Sequence, residues 1–134
     1  MALTQADLDT TARTVWGEAR GEPYEGKVAV AWVVRNRAAH GGWWGQTPHD
    51  VCVQPYQFSC WNLNDPNREK MMELDDSNEM FTVCIKAVKE AFAGTIDPTD
   101  GATHYAVSTL QPAWAVKATK TVTIGNHTFY KDVP

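Results

Sequence analysis

The sequence predicts an α+β fold, with helices in the N-terminal part of the chain and a small antiparallel β-hairpin near its C-terminus. Apolar residues recur at helical spacing up to about residue 94, whereas the last strongly patterned segment alternates around a two-residue turn. The 134 residues contain no internal repeat, low-complexity tract or linker. We therefore expect one domain that spans residues 1–134.

The first two predicted helices are separated by a segment rich in glycine. Thr4 and Asp7 form a weak capping box for the first helix. Its apolar positions recur at helical spacing and are Leu8, Ala12, Val15 and Trp16. The segment that follows contains Gly17, Gly21, Pro23 and Gly26. Because a continuous helix tolerates such residues only at a cost, we expect a turn or a broken helix there, and a buried second helix from about Tyr24 to Ala39.

The middle of the chain is less regular than its two ends. Residues 39–65 fit neither a helical nor a strand period, so we expect a long ordered loop that is held in shape by its aromatic residues. A later helix is expected between Ser77 as its N-cap and Gly94 as its C-terminal signal. Its predicted core-facing stripe consists of Met80, Phe81, Cys84, Ile85, Val88 and Phe92.

The clearest local signal is the C-terminal hairpin. The predicted strands 121–124 and 127–130 flank Gly125 and Asn126, which suit a type II′ or type I′ turn. The expected cross-strand pairs are Val122 with Phe129, and Ile124 with His127.

Composition and charge exclude several classes of partner. The formal net charge is −4, so no electrostatic attraction favours nucleic acid or an anionic membrane surface. The first residues lack a basic stretch followed by an apolar run, so we expect neither a secretion signal nor a membrane anchor. Cys52, Cys60 and Cys84 are too few for a disulfide scaffold, and we expect all three to be reduced. We further expect a monomer that needs no cofactor.

A cluster of charged residues lies in the glycine-rich segment. If the chain keeps approximate helical geometry there, Glu18 and Glu22 share one face, and each raises the other's pKa. A carboxyl group that stays protonated near neutral pH is the general acid that glycoside cleavage requires. The alternative is a solvated acidic turn in which Arg20 neutralises its neighbours. The residue pattern alone leaves both interpretations open.

Several motifs resemble, in order, those of the spore cortex-lytic family of cell wall hydrolases. The first and most specific is the run 17–31, Gly-Glu-Ala-Arg-Gly-Glu-Pro-Tyr-Glu-Gly-Lys-Val-Ala-Val-Ala, which closes with Asn36 and Arg37. The later motifs are Gln57-Phe58-Ser59 followed by Trp61, then Gly101-Ala102 and Tyr105, and finally Ile124-Gly125-Asn126-His127 with Phe129. The resemblance covers nearly the whole chain.

The resemblance implies a lysozyme-like, lytic-transglycosylase-like fold and an enzyme that cleaves peptidoglycan between N-acetylmuramic acid and N-acetylglucosamine. Family members characterised as lytic transglycosylases use one principal glutamate, and the motif places it at Glu18. In such enzymes the muramic acid C6 hydroxyl attacks the anomeric carbon and leaves a 1,6-anhydro sugar, so Glu18 would act first as acid and then as base. Glu22 matches a second family position. We assign it to tuning Glu18 or to binding substrate, and the reverse assignment of the two glutamates stays open.

The later motifs supply candidate substrate-binding residues. These are Gln57, Ser59, Trp61, His104 and Tyr105. Amide and hydroxyl groups can bind sugar hydroxyls, and an indole ring offers a stacking face. The alternatives are local backbone hydrogen bonds for Gln57 and Ser59, and core packing for Trp61.

Three further motif positions are expected to be structural. Asn36 and Arg37 are predicted to tie the second helix to a loop. His127 is predicted to be a buried, hydrogen-bonded residue that fixes the hairpin.

Other functions compete with this one. A zinc amidase or peptidase could draw on seven potential ligands: His40, His49, Cys52, Cys60, Cys84, His104 and His127. Their spacing lacks the close pairs of known zinc sites, so we expect no metal. A non-catalytic glycan-binding module would use the same aromatic residues without chemistry at Glu18. A muramidase also stays open, with Asp50, Asp65 or Glu22 as a second carboxylate about 6.5 to 9.5 Å from the first.

The short form of the chain resembles the endolysins of phages that infect Gram-negative bacteria. That resemblance implies an enzyme made in the host cytoplasm without a signal peptide and released by a holin to act on peptidoglycan glycan strands in the periplasm. A bacterial accessory enzyme would have the same sequence features.

Overall fold

A computed structural model describes residues 3–55 and 57–134. Its helices are α1 (Gln5–Ala19), α2 (Tyr24–His40), α3 (Pro48–Val53), α4 (Pro66–Met72) and α5 (Glu79–Ala93). Short 3₁₀ turns lie at Gly42–Trp44, Ser59–Trp61 and Ala113–Ala115. The strands are β1 (His104–Val107), β2 (Thr119–Ile124) and β3 (His127–Lys131). The α+β prediction is confirmed, with the helices first and the sheet last.

The first helix has the predicted start but continues further than expected. The Thr4 side chain accepts a hydrogen bond from the Asp7 backbone, and the Asp7 carboxylate accepts one from the Thr4 backbone, which completes the capping box. The predicted interruption of the helix in the segment 17–26 is confirmed, but Gly17 itself does not break the helix, because α1 runs through it to Ala19. The break is confined to the four residues 20–23 that precede α2.

Close packing explains why the helix carries a glycine at position 17. A Cβ added there would lie 2.7 Å from the Met71 sulfur and 2.9 Å from the Cys60 Cβ. Glycine weakens a helix by about 1 kcal/mol relative to alanine, so its presence needs a packing reason. The reason here is the approach of α4 and the Ser59–Trp61 turn to the C-terminal turn of α1.

The core forms around α2, which is buried over most of its length. The residues from Gly26 to Val34 are all buried, and α5, whose buried face includes Phe81, Cys84 and Val88, packs against both α1 and α2. Two details of α5 differ from the prediction. Its N-cap is Asn78, whose side chain accepts from the Phe81 backbone, because Ser77 instead bonds to Asp75. Met80 is exposed, since it lies in the first turn, on the side away from the core.

The segment 39–65 is more structured than a loop. It contains two 3₁₀ turns and α3, and α4 follows directly. Both short helices carry the start signals of a side-chain cap followed by proline: Thr47 accepts from the Asp50 backbone before Pro48, and Asp65 accepts from the Asn67 backbone before Pro66. Their shortness hid them, because six or seven residues are too few to show a helical period.

The sheet contains the predicted hairpin and one additional strand. The strand order is β1-β3-β2, and both pairs are antiparallel. The predicted pairs are confirmed and are Val122 with Phe129, and Ile124 with His127. Gly125 has a φ of +59° and Asn126 is not among the residues with positive φ, as in a type II′ turn. Strand β1 was not predicted, because its four residues are too few to establish an alternation.

The three cysteines form no disulfide with one another, and their reduced state stays a prediction. Cys52, Cys60 and Cys84 are free and buried. Burial raises the pKa of Cys52 and that of Cys84 to about 11. Within the described residues, no helix is both long and apolar enough to cross a bilayer.

We expect Gly17→Ala to destabilise the protein by about 1 to 3 kcal/mol, because the added methyl group overlaps Met71 and Cys60. Urea denaturation measures the change. Gly21→Ala is the matched control, since a Cβ at position 21 meets no heavy atom within 4 Å. Equal stability changes in the two variants would contradict the packing argument.

Candidate active site

Glu18 and Tyr105 form the centre of the candidate site. Glu18 lies in the last turn of α1, and Tyr105 lies on β1. The Tyr105 hydroxyl donates a hydrogen bond to Glu18 Oε1 at 2.5 Å. This bond joins residues 87 positions apart in the chain. One carboxylate oxygen of a half-buried glutamate is thus fixed, and the second is left for another partner.

Tyr105 remains a hydrogen-bond donor over the whole physiological pH range. Burial, and after it the charge and hydrogen bond of Glu18, raise the pKa of Tyr105 well above its usual value. The phenol therefore keeps its proton. It can orient Glu18 but has no tendency to compete with it as a base.

Cys60 forms a second wall beside Glu18. It is 1% exposed and lies against the Cα of Gly17, one residue before Glu18. The pKa of Cys60 is raised far above that of a free thiol. The main cause is burial, and the second is the adjacent Glu18 carboxylate. The thiol is therefore neutral and a poor nucleophile. From the sequence Cys60 was a potential zinc ligand, and its place beside Glu18 was not predicted.

Arg37 supports the site from α2, in agreement with its predicted structural role. Its guanidinium donates to the Thr103 carbonyl at 2.7 Å and to Gln57 Oε1 at 3.2 Å. It also stacks on Phe58, 5.1 Å from the ring centroid. Arg37 thus ties α2 both to the segment before β1 and to the motif around Gln57.

The charge of Arg37 also acts on the site. Burial lowers the pKa of Arg37, and the neighbouring Tyr105 and Glu18 partly offset this effect. Arginine stays protonated regardless, so α2 places a fixed positive charge close to Tyr105 and Glu18.

Asn36 supports the same region. Its amide donates to Asp97 Oδ2 at 2.8 Å and to the Ala102 carbonyl at 2.9 Å. The predicted tie between the second helix and a loop is confirmed for both residues. Together they fix the chain that enters β1 and therefore the position of Tyr105.

Glu22 does not pair with Glu18, which corrects the prediction of two carboxylates on one helical face. Glu22 lies beyond the end of α1, where helical geometry no longer applies. Its Oε1 accepts from the Asn126 backbone at 2.7 Å, and its Oε2 accepts from the Asn126 side chain at 3.0 Å. The Lys27 ammonium donates to the Glu22 carbonyl. Glu22 therefore holds the tip of the hairpin.

The environment of Glu22 favours its charged form. Burial alone raises the pKa of Glu22, but the two Asn126 hydrogen bonds, together with His127 and Lys27, outweigh burial. The net pKa is lowered. The predicted mutual raising of pKa values by the two glutamates is therefore wrong for Glu22.

Gly125 permits the approach of Glu22 to the hairpin. Its φ of +59° is strained for any other residue, and an added Cβ would lie 2.5 Å from Glu22 Oε1. The Gly-Asn turn therefore has two purposes. It closes the hairpin, and it leaves the space in which a carboxylate binds the Asn126 backbone.

His127 is buried as predicted, but the predicted hydrogen bond is not seen. Its Nδ1 has no hydrogen-bond partner among the described residues and lies 3.8 Å from Glu22 Oε1. The imidazole packs on the Tyr105 ring, with centroids 4.9 Å apart. His127 thus stands between the Glu22 carboxylate and the Tyr105 phenol.

The other predicted substrate-binding residues fall into different environments. Gln57 accepts from Arg37, so one end of its side chain is already used. Ser59 is exposed at the start of a 3₁₀ turn. Trp61 donates its Nε1 proton to Thr14, one helical turn before Glu18 on α1, and lines a cleft of about 570 Å³ with Asn62 and Leu63.

His104 lies away from Tyr105 even though the two are adjacent. Successive side chains of a strand point to opposite faces, and Tyr105 faces Glu18. His104 packs between Trp44 and Trp114, at centroid distances of 5.8 and 5.0 Å. Burial, aided by Arg37, lowers the pKa of His104 to about 4. The imidazole is therefore neutral and part of an aromatic cluster.

The alternative zinc site finds no support in the geometry. Across residues 3–55 and 57–134, no three His, Cys, Asp or Glu side chains lie close enough together to hold a metal ion. Three of the seven candidate ligands have the roles described above: Cys60 beside Glu18, His104 in the aromatic cluster and His127 against Tyr105.

A family of cell wall hydrolases matches most of this chain. The family model covers residues 21–130, which begin three positions after Glu18 and include Glu22, Tyr105 and the hairpin. The chain belongs to the cell wall hydrolase family. The recognition made from the sequence motifs is thereby confirmed.

Full-length relatives and solved structures extend the match through α1. The spore cortex-lytic enzyme of Bacillus cereus is 32% identical over 132 residues, which are 96% of this chain and 45% of that protein. The Halalkalibacterium halodurans enzyme of the same name is 32% identical over 92% of this chain and 34% of its own length. The chain therefore spans less than half of these curated relatives.

The structural matches involve catalytic domains alone. The catalytic domain of the Bacillus cereus SleB protein superposes with a TM-score of 0.79, at 32% identity over 97% of this chain and 93% of that domain. The catalytic domain of the germination-specific lytic transglycosylase SleB of Bacillus anthracis gives a TM-score of 0.78, at 33% identity over 97% of this chain and 98% of that domain. The cell wall hydrolase described here thus has the lysozyme-like α+β fold of those domains.

Tyr105→Phe removes the hydroxyl that holds Glu18. If Glu18 is the reacting carboxyl group, we expect kcat/KM on purified peptidoglycan to fall by about 10- to 100-fold, because a misplaced reacting group loses rate steeply with distance. The thermal midpoint is measured alongside to show that the variant is folded. Wild-type activity in a folded variant would contradict the assigned role of the hydrogen bond.

The lowered pKa of Glu22 predicts a pH-dependent contribution to stability. A carboxyl group whose folded-state pKa is depressed stabilises the protein above its unfolded pKa, near 4.5, and loses this contribution as pH falls through the folded value. The difference in unfolding free energy between wild type and Glu22→Gln should therefore be constant from pH 7 to about pH 5 and vanish in stronger acid. Urea titrations at each pH measure it, with Glu73→Gln, an exposed carboxylate, as the control. If the difference in unfolding free energy instead grew as the pH fell, the pKa of Glu22 would be raised in the folded protein rather than lowered.

Proposed function

We propose that this cell wall hydrolase is a lytic transglycosylase that cleaves the bond between N-acetylmuramic acid and N-acetylglucosamine, with Glu18 as its acid and base. The main support for this proposal is the hydrogen bond that Tyr105 donates to Glu18. It orients a single, half-buried carboxyl group in a chain that aligns with catalytic domains over 97% of its length.

The reaction needs one proton carrier. Protonated Glu18 donates its proton to the glycosidic oxygen as the bond from that oxygen to the muramic acid C1 breaks. The C6 hydroxyl of the same sugar then bonds to C1, and its proton passes to the Glu18 carboxylate. The products are a 1,6-anhydromuramic end and a free N-acetylglucosamine hydroxyl, and Glu18 is protonated again. Tyr105 holds Oε1 throughout, and the Cys60 thiol lies beside the same carboxyl group.

The candidates for a second carboxylate have other partners, which supports transglycosylation over inverting hydrolysis. Glu22 is bound to Asn126 through both of its oxygens. Asp65 caps α4 by accepting from the Asn67 backbone at 2.8 Å. Asp50 is exposed on α3, 3.4 Å from the His49 ring. A muramidase needs such a group to activate water, whereas the C6 hydroxyl makes one unnecessary.

The substrate of the proposed reaction is the glycan strand of peptidoglycan. A non-catalytic binding module would not need a tyrosine hydrogen bond on a half-buried glutamate. The endolysin setting, the release to the periplasm and the monomeric state stay predictions of the sequence, because the full-length relatives are spore cortex-lytic enzymes.

The decisive experiment combines Glu18→Gln with product analysis. Gln preserves size and accepts from Tyr105 but carries no acidic proton, so we expect at least a 1,000-fold loss of activity on purified peptidoglycan, within the range of acid–base catalysis. Mass spectrometry of wild-type digests should show muropeptides lighter by one water than those a muramidase releases. Near wild-type lysis by folded Glu18→Gln would end the proposal, and hydrolysed ends would replace the transglycosylase with a muramidase.

A further inference from the structure

We propose that Glu22 is a positioning residue, which fixes the tautomer and orientation of His127 and, through the His127 ring, holds Tyr105 in place against Glu18. This inference rests on the proposed role of Glu18. It assigns Glu22 neither to substrate contact nor to proton transfer.

The proposed connection consists of three successive contacts. Glu22 Oε1 lies 3.8 Å from His127 Nδ1. The His127 and Tyr105 rings pack with centroids 4.9 Å apart at an interplanar angle of 55°. The Tyr105 hydroxyl donates to Glu18 Oε1 at 2.5 Å. Side chains from the α1–α2 connection, β3 and β1 thus meet in series and end on the C-terminal turn of α1.

His127 and Glu22 are both buried, so the contact between them determines which imidazole nitrogen carries the proton. His127 is 8% exposed, and the Glu22 side chain is 9% exposed. A buried nitrogen without a partner is costly, so Nδ1 needs the nearby carboxylate. A proton on Nδ1 is attracted by that carboxylate, whereas an unprotonated Nδ1 would place its lone pair near a negative charge. The Nδ1–H tautomer is therefore the stable neutral form.

The ring is restrained from two other directions. Asn126, the preceding residue, is bound to Glu22 through its backbone and side chain, so β3 begins at a fixed position. Phe129 packs on both His127 and Tyr105, with centroids 6.4 and 5.6 Å away. With Glu22 in place, the ring cannot turn without breaking the contact with Nδ1. The Tyr105 ring thus packs on two aromatic rings, His127 and Phe129, and Glu22 fixes the first of them.

The direct test is the tautomer of His127 in the intact wild-type protein. Histidine labelled with ¹⁵N gives separate Nδ1 and Nε2 shifts for each of the four imidazoles, and His127 is assigned through bonds from its backbone. In the neutral form we expect the proton on Nδ1, and in Glu22→Gln a shift toward Nε2–H. A wild-type ring that carries its proton on Nε2 would overturn the proposal without any variant.

The functional test separates positioning from binding and from catalysis. In Glu22→Gln we expect kcat on solubilised glycan strands to fall by about tenfold, as when the supporting partner of a functional side chain is lost, with apparent KM within about twofold of wild type. His127→Gln should lower kcat similarly, and the double variant should be no worse than either single variant, because both act through one connection. Glu25→Gln, an exposed glutamate of the same motif, should keep wild-type kcat.

Several results would overturn the inference. A rise in KM with unchanged kcat would make Glu22 a substrate-binding residue, and a loss as deep as that of Glu18→Gln would make it a catalytic one. Additive effects of the two substitutions, or wild-type kcat in a folded Glu22→Gln, would remove the connection to Tyr105. The failure of the proposed function is distinguishable, since it appears as activity in Glu18→Gln and leaves the tautomer result unaffected.

Discussion

The hydrogen bond between Tyr105 and Glu18 is the constraint on which the rest of the site depends, because it joins the helical part of the chain to the sheet. Glu18 belongs to α1, whereas Tyr105 belongs to β1, and 87 positions separate them. Nothing local can place them together. The bond forms only if α2 carries the chain across the core and Asn36 and Arg37 hold the segment that enters β1.

Two glycines allow this arrangement by removing side chains where segments converge. Gly17 lets Cys60 and Met71 approach the last turn of α1, so that Glu18 stands against a protein wall rather than in open water. Gly125 lets the Glu22 carboxylate reach the hairpin tip. A glycine loses more conformational entropy on folding than any other residue, and the close contacts that these two glycines permit offset that loss. At these two positions glycine is therefore required by close packing, and at Gly125 also by the turn.

The difference between local patterns and long-range contacts also explains which elements could be predicted from the sequence. Long elements with strong patterns were predictable, among them the Thr4 cap, the buried second helix and the hairpin register. The short elements α3, α4 and β1 were not, since each has too few residues for a period. The predicted interruption begins only after Ala19, because helix propensity acts locally, whereas Gly17 is required by contacts with residues 43 and 54 positions away. The family motifs identified Glu18 and Tyr105 individually, but no pattern predicted that one binds the other.

The different environments of the two glutamates show how one short motif can supply two kinds of carboxylate. Glu22 meets two donors from Asn126 and has His127 and Lys27 nearby, so its surroundings favour a permanent negative charge. Glu18 meets the neutral hydroxyl of Tyr105 and the neutral thiol of Cys60, both of which keep their protons. In the proposed reaction Glu18 gives up and regains a proton, and neither of these two neighbours exchanges a proton near neutral pH. Glu22 instead is negatively charged and accepts two hydrogen bonds from Asn126, which suits a residue that holds the hairpin. Helix α1 ends between Glu18 and Glu22, and this separates the environments of the two carboxylates.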